Sequence, residues 1–209
     1  MSNELDLSEA TSRLESIPMV DADVCFAAAF YGPTQTSQYM DALLREIAWR
    51  QETIVLWGKV HLQPRLSAWY GDAGCVYSYS GRTFEPHPWS DTLLRIKEDI
   101  EQATAHRFNS VLLNLYRDEH DSMGWHSDDE SELGPEPVIA SLSLGATRTF
   151  RLRHRTKKTV KPIALALSGG SLLVMAGTTQ RFWRHAVDKE RAPVGARINL
   201  TFRTIMPLR

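Results

Sequence analysis

The sequence predicts an α+β protein in which two N-terminal helices pack on the outside of a double-sheet β structure. Three observations carry this. Two segments space their apolar residues as helices do, everything after about residue 108 breaks into short β-type runs, and glycines punctuate those runs. At 209 residues, with 43% hydrophobic and 23% charged content, the chain suits one domain with a buried core.

The first 35 residues are polar and end near Gly32-Pro33, and read as an extension or an edge element. Thr36 to Gln51 follows with Tyr39, Leu43, Leu44, Ile47 and Ala48 at helical spacing behind a Thr/Ser start. A second helix spans Ser90 to Ala105, with Ser90 as N-cap and Leu93, Leu94, Ile96 and Ile100 on its apolar face. Strands are predicted at Ser110–Tyr116, Val138–Leu144, Thr147–Arg153, Leu172–Ala176 and Ala196–Ile205, separated by Gly145, Gly169-Gly170 and Gly177. The divisions are therefore an extension over 1–35, a region with outer helices over 36–107 and a β core over 108–209, all in one structural domain.

No apolar run is long enough to span a membrane, and Met1 to Glu15 is acidic rather than basic-then-apolar, so no signal peptide or membrane partner is expected. Cys25 and Cys75 lie far apart without a CxxC, which disfavours a disulfide framework or a zinc-thiolate site and fits a reducing cytoplasm. The net charge of −1 excludes a uniformly basic nucleic-acid binder. The charge is uneven, however: Arg148 to Lys161 holds seven Lys or Arg residues, one His and no acid.

Of the seven histidines, only His126 has a carboxylate two positions on, in His126-Ser127-Asp128. In extended backbone, side chains two apart point the same way, so imidazole and carboxylate converge on one ion. Nitrogen and oxygen ligands without sulfur suit Fe(II), and two His with one carboxylate leave positions open for a cosubstrate and O2. The third ligand comes from downstream, where His154 and His185 both sit among cations; charge does not separate them.

The last strand alternates. Ile198, Leu200 and Phe202 face one side; Arg197, Asn199, Thr201 and Arg203 face the other. Two guanidinium groups on one face suit bidentate binding of a dicarboxylate such as 2-oxoglutarate. The same alternation places Asn114 and Tyr116 together as neutral partners.

Asn114-Leu115-Tyr116, His126-Ser127-Asp128, His185 and Arg197-Ile198-Asn199-Leu200-Thr201-Phe202-Arg203 together resemble the AlkB family of nucleic-acid dealkylating Fe(II)/2-oxoglutarate dioxygenases over roughly residues 54 to 206. The resemblance implies a double-stranded β-helix (jelly roll) with outer helices, and iron on His126, Asp128 and His185. It implies that Arg197, Asn199 and Tyr116 hold the far carboxylate of 2-oxoglutarate, with Arg203 and Asn114 near the metal-chelating one and Thr201 on the same face. Tyr70 to Gly81 resembles the branch that repairs double-stranded DNA, making 36–107 a nucleotide-recognition region. There Tyr79, replacing a Phe, would stack on a flipped base opposite His126, with Tyr77 nearby. Glu130 would approach the base edge, and Trp57, bulkier than the Phe of that branch, would fill the gap left in the duplex. Arg65, Lys157 and Lys158 complete the expected nucleic-acid contacts.

The implied activity is oxidative dealkylation of bases such as 1-methyladenine and 3-methylcytosine in single- or double-stranded DNA. Formaldehyde is released and 2-oxoglutarate becomes succinate and CO2. A base held between Tyr79 and His126 would gain roughly 1–3 kcal/mol of stacking, comparable with the cost of flipping. The expected protein is a monomer, associated with the nucleoid in a bacterium or nuclear in a eukaryote. Alternatives are the same chemistry on RNA or protein, and a non-catalytic nucleic-acid-binding module.

Overall fold

A computed structural model describes residues 12–206 apart from 57, 76, 80 and 81, with backbone alone at 56, 77–79 and 82–84. Along the chain come β1 (Glu15–Ser16), β2 (Asp23–Ala27), helix α1 (Pro33–Glu46), β3 (Thr53–Leu56), β4 (Lys59–Leu62), β5 (Leu66–Gly71), β6 (Tyr77–Tyr79) and β7 (Arg82–Phe84). Helix α2 (Asp91–Thr104) leads into β8 (Ser110–Tyr116), β9 (Met123–His126), β10 (Ile139–Gly145), β11 (Arg148–His154) and β12 (Ile163–Leu167). The last elements are β13 (Leu172–Ala176), the short α3 (Thr179–Phe182), β14 (Trp183–Val187) and β15 (Arg197–Arg203).

Two antiparallel sheets form the body, one in the order β1-β2-β13-β10-β15-β8-β5 and a smaller one in the order β12-β11-β14-β9. The alternation of the central strands explains the layering. Val111, Leu113 and Leu115 of β8, Leu142 and Leu144 of β10, and Ile198, Leu200 and Phe202 of β15 share a core with Leu43 of α1 and Leu93, Ile96 and Ile100 of α2. A second core joins Tyr116, Ile139 and Leu173 of the large sheet to Phe150, Leu152, Trp183 and Val187 of the small one. The large sheet is thus covered by helices on one side and by the small sheet on the other, as the expected jelly roll requires.

Helix α2 starts as predicted, with Ser90 Oγ accepting a hydrogen bond from the Leu93 N–H at 3.3 Å. Helix α1 begins three residues earlier than predicted because Pro33 occupies its first turn, where a fixed φ and a missing N–H cost nothing. It stops at Glu46, since Ile47 is extended. The N-terminal segment contributes β1 and β2, and β2 ladders onto β13 with Val24 in the core. Strand structure also begins well before residue 108. The β3–β4 and β6–β7 hairpins and the edge strand β5 all precede it, and short β9, β12 and β14 fall outside the predicted runs. The pairing of β14, with its Trp183-Arg184-His185 start, follows from its neighbours β11 and β9 rather than from local propensity. No helix of the described residues is long and apolar enough to cross a membrane.

Glu101 ties α2 to β8. Its carboxylate accepts from the Phe108 N–H at 2.8 Å and from Arg107 Nη1 at 2.7 Å, and pairs with Lys97 Nζ at 3.2 Å. Burial alone would raise its pKa, but these donors outweigh burial and hold it below the usual carboxylate range. A lowered folded pKa gives stability that is present above the unfolded value of about 4.3 and lost as pH falls through the folded one. Glu101→Gln should therefore cost about 1–3 kcal/mol in urea unfolding at pH 7, and the gap to wild type should narrow in strong acid. A gap independent of pH would show that the charge of Glu101 contributes nothing.

Candidate active site

His185 of β14 stands directly across the ladder from His126 at the end of β9, and their rings lie 4.2 Å apart between centroids. Asp128 lies just past β9, so HxD does not converge along a continuous strand. Its loop is pinned instead: Ser127 Oγ donates to the Trp183 carbonyl at 2.8 Å, and the Asp128 N–H donates to Gln180 Oε1 at 2.9 Å. One ligand atom from each of His126, Asp128 and His185 lies within 4.8 Å of the other two. The His126 Nδ1 faces the Gly124 carbonyl at 2.8 Å; a carbonyl only accepts, so Nδ1 carries a proton and Nε2 is the nitrogen left to ligate.

The protonation states suit ligation. Burial, then the neighbouring His126, press the His185 pKa down to about 3, which keeps the imidazole neutral. Burial works the other way on Asp128, but the charges of Arg203, His185 and His126, with the hydrogen bond from Arg203, together outweigh it and hold the carboxyl below its usual range. Arg203 Nη2 donates to Asp128 Oδ1 at 2.6 Å. Two imidazoles and one carboxylate, without thiolate, fit Fe(II).

His154 is engaged elsewhere. Its Nε2 lies 3.1 Å from Asp21 Oδ2, and its Nδ1 accepts from the N–H groups of Lys157 and Thr156 at 3.0 and 3.3 Å. Both nitrogens are committed, Nε2 to the turn before β2 and Nδ1 to the loop after β11, which leaves His185 as the candidate third ligand.

A cavity between the sheets runs from the metal ligands past Asn114, Tyr116, Asn199, Thr201 and Arg203, with Phe150 and Met175 among its apolar walls. The polar face of β15 is therefore buried, where an ordinary half-buried strand would be wet. Asn199 Nδ2 donates to Ser141 Oγ at 2.8 Å and to the Leu142 carbonyl at 3.0 Å, and its Oδ1 accepts from Thr201 at 3.2 Å. These bonds fix its side chain in the cavity wall. Arg197 is 1% exposed; Nη2 donates to Ser143 Oγ at 2.9 Å, while Nε and Nη1 have no hydrogen-bond partner among the described residues. Its guanidinium lies 5.2 Å from the centre of the Tyr116 ring, and Arg203 Nε is likewise buried and unpartnered. Buried guanidinium N–H groups without acceptors are costly, and two carboxylates would satisfy them. The donor set fits 2-oxoglutarate.

Arg65, expected at the nucleic acid, is buried instead on the cosubstrate side, where its Nε donates to Asn114 Oδ1 at 2.8 Å. Since Arg only donates, Asn114 must turn its oxygen to Arg65 and its NH2 elsewhere. Nothing local in the sequence marks Arg65 or Gln180 for these supporting roles. Glu130 is half-buried at the N-cap of a single 3₁₀ turn, Ser131–Leu133, two residues beyond Asp128. Tyr77 and Tyr79 sit on β6, paired by backbone with Phe84 and Arg82. Trp57 lies outside the described residues. Lys157 is ion-paired with Asp21, whereas Lys158 is exposed without an ion pair among the described residues.

Residues 23–203 match the model of the 2OG-Fe(II) oxygenase superfamily. The chain is 42% identical to alpha-ketoglutarate-dependent dioxygenase alkB homolog 3 of Bos taurus, over 95% of this chain and 72% of that protein. Identity to the Homo sapiens alkB homolog 3 is 43%, over 88% of this chain and 66% of the relative. To the DNA oxidative demethylase ALKBH2 of Mus musculus it is 38%, over 88% of this chain and 80% of the relative. The solved structure of OsALKBH1 superposes with a TM-score of 0.62 at 16% identity, covering 91% of this chain and 99% of the other, and so shares the fold. Identity is higher to the alkB homolog 3 proteins, at 42–43%, than to the ALKBH2 proteins, at 35–38%. With the iron triad, the cosubstrate donors and these matches in agreement, the chain belongs to the AlkB family of Fe(II)- and 2-oxoglutarate-dependent dioxygenases.

Proposed function

We propose that the protein oxidatively dealkylates N-alkylated bases in DNA, such as 1-methyladenine and 3-methylcytosine, with release of formaldehyde. The observation that carries the reading is the His126–Asp128–His185 cluster, with Asp128 and His185 buried, joined through Arg203 to a cavity with unpartnered guanidinium donors. The choice of substrate is supported by identity of 35–38% to three mammalian proteins named DNA oxidative demethylase ALKBH2.

When bound, the iron centre with 2-oxoglutarate and O2 supplies the oxidation that places a hydroxyl on the alkyl carbon, and succinate and CO2 are the co-products. The hydroxylated group is a hemiaminal on the base nitrogen, which collapses to formaldehyde and the unmodified base. The chain's own residues do the positioning. His126, Asp128 and His185 would hold the metal from one side, leaving the rest of its coordination sphere to ligands. Arg203 steadies Asp128 and offers its remaining N–H groups to the near carboxylate. Arg197, against Tyr116, would receive the far one. Met175 and Phe150 narrow the cavity and limit the water in it. Tyr79 and Glu130 are assigned to the base, Tyr77 and Trp57 to the nucleic acid around it, and Lys158 to phosphate.

Wild-type protein with Fe(II), 2-oxoglutarate and a 1-methyladenine oligonucleotide should release formaldehyde, and Asp128→Ala should reduce this to background. Single-stranded DNA, duplex DNA and RNA carrying the same lesion rank the substrates. No formaldehyde from any of them, with succinate still formed, would remove the nucleic-acid reading.

Arg197→Ala should raise the Kd for 2-oxoglutarate by at least about 30-fold, the effect of deleting one partner of a buried charged hydrogen bond. An unchanged Kd in anaerobic titration would show that the far carboxylate lies elsewhere. Lys158→Glu should weaken duplex binding and flatten the log–log salt slope by about one. An unchanged slope would take this loop out of the interface.

A further inference from the structure

Tyr116 has two arginines against its ring. Arg197 Cζ lies 5.2 Å from the ring centroid and Arg148 Cζ lies 5.5 Å from it. Both arginines are 1% exposed. Arg148, the first residue of β11, is held by backbone oxygens: Nη1 donates to the Asp118 carbonyl at 3.1 Å, and Nη2 to the Asp121 and Asp188 carbonyls at 2.8 and 2.6 Å. Its guanidinium is thus fixed by the β8–β9 connection and by the residue that follows β14.

The nearby charges do not cancel. Among the described residues, one carboxylate comes within 4 Å of Arg148: Glu190, whose Oε1 is 3.5 Å from Nε and whose side chain is 31% exposed. The Asp121 carboxylate is occupied by Arg117, which meets it through Nε and Nη2, both at 2.8 Å. Arg197 has no ion-pair partner among the described residues. The buried Asp121 carboxylate also feels the charge of Arg148, so three guanidiniums, that of Arg117 partly exposed, face two carboxylates and one positive charge is left over. Burial presses the Arg197 pKa below the arginine range; the Tyr116 hydroxyl opposes this, while the charge of Arg148 acts in the same direction as burial, so the two guanidiniums sense each other.

A stabilising tie alone would not put a surplus positive charge on the ring that borders the cosubstrate cavity. Such a surplus favours a ligand that brings a second negative charge to this end, and buried charges at fixed distance are little weakened by salt. We propose that Arg148 is a positioning residue that acts across Tyr116 to reinforce Arg197 in selecting a cosubstrate with a far carboxylate, and that Glu190 sets the strength of that selection. The inference rests on the assignment of Arg197 to the far carboxylate.

The test is equilibrium binding to the Mn(II)-loaded protein by anaerobic calorimetry. Two probes are used: 2-oxoglutarate, and 2-oxopentanoate, which lacks the far carboxylate. Glu190→Gln should lower the Kd for 2-oxoglutarate roughly three- to tenfold, although it loses an ion pair, and leave that for 2-oxopentanoate unchanged. Arg148→Gln should raise the Kd for 2-oxoglutarate by about tenfold and that for 2-oxopentanoate far less. Thermal melts by circular dichroism confirm that each variant is folded. Should Arg148→Gln fail to fold, Glu190→Gln, on a partly exposed side chain, still decides the matter. A purely structural role predicts that losing Glu190 leaves 2-oxoglutarate binding unchanged or weaker. Either result, or an equal shift for both ligands, overturns the proposal. Arg197→Ala in the same assay separates the premise: if it leaves the 2-oxoglutarate Kd unchanged, the far-carboxylate assignment has failed, independently of the Glu190 result.

Discussion

Burial of β15 on both faces is the constraint from which the rest of the structure follows. Ile198, Leu200 and Phe202 lock one face into the helix-covered core, and this fixes the register of the neighbouring strands. A one-residue slip would drive Arg197 and Arg203 into that core and expose the apolar residues to the opposite layer. With the register set, Arg197 falls opposite Tyr116 and Asn199 opposite Asn114. The cosubstrate wall is therefore a by-product of packing the helices. The guanidiniums lie between sheets, where they need an anionic partner rather than water.

The small sheet completes the site by a different device. Its strands β9 and β14 contribute one histidine each at a shared ladder position. Asp128 is delivered by a loop whose backbone and neighbouring side chain are bonded to Gln180 and Trp183. Gln180 also lies 3.6 Å from the Met175 sulfur, so α3 links the metal loop to β13 across the second core. Rigid strands and a short pinned loop together place three ligand groups without a metal-binding helix.

Much of this was legible in the sequence, and the illegible parts have identifiable causes. Period-two alternation exposed β8 and β15 because both faces carry a clear assignment, apolar against polar. His126 and Asp128 stood out by local spacing. His185 could not be separated from His154 on charge, because the discriminating group is Asp21, 133 residues away from His154 in the chain. Arg65 is expected at the nucleic acid, whereas its place beside the cavity depends on Asn114, brought alongside by the β5–β8 pairing. The β3–β4 hairpin escaped the pattern because its apolar residues do not mark a core: Val55, Val60 and Leu62 are all more than 60% exposed. Such a face is read as buried by any rule that equates apolar with inside.

The location of His126 has a thermodynamic consequence. Among the described residues, strand β9 is the outermost strand of the small sheet, with β14 as its one ladder neighbour and an irregular register between them. Terminal strands of this kind fray before the centre of a sheet. An ion held jointly by His126 and His185 is a cross-link between β9 and the strand beside it, so ligation energy and edge cohesion are linked terms of one equilibrium. Metal affinity in this protein is accordingly a property of how well its outermost strand stays attached, and substitutions along β9 that never touch the ion will alter how tightly it is held.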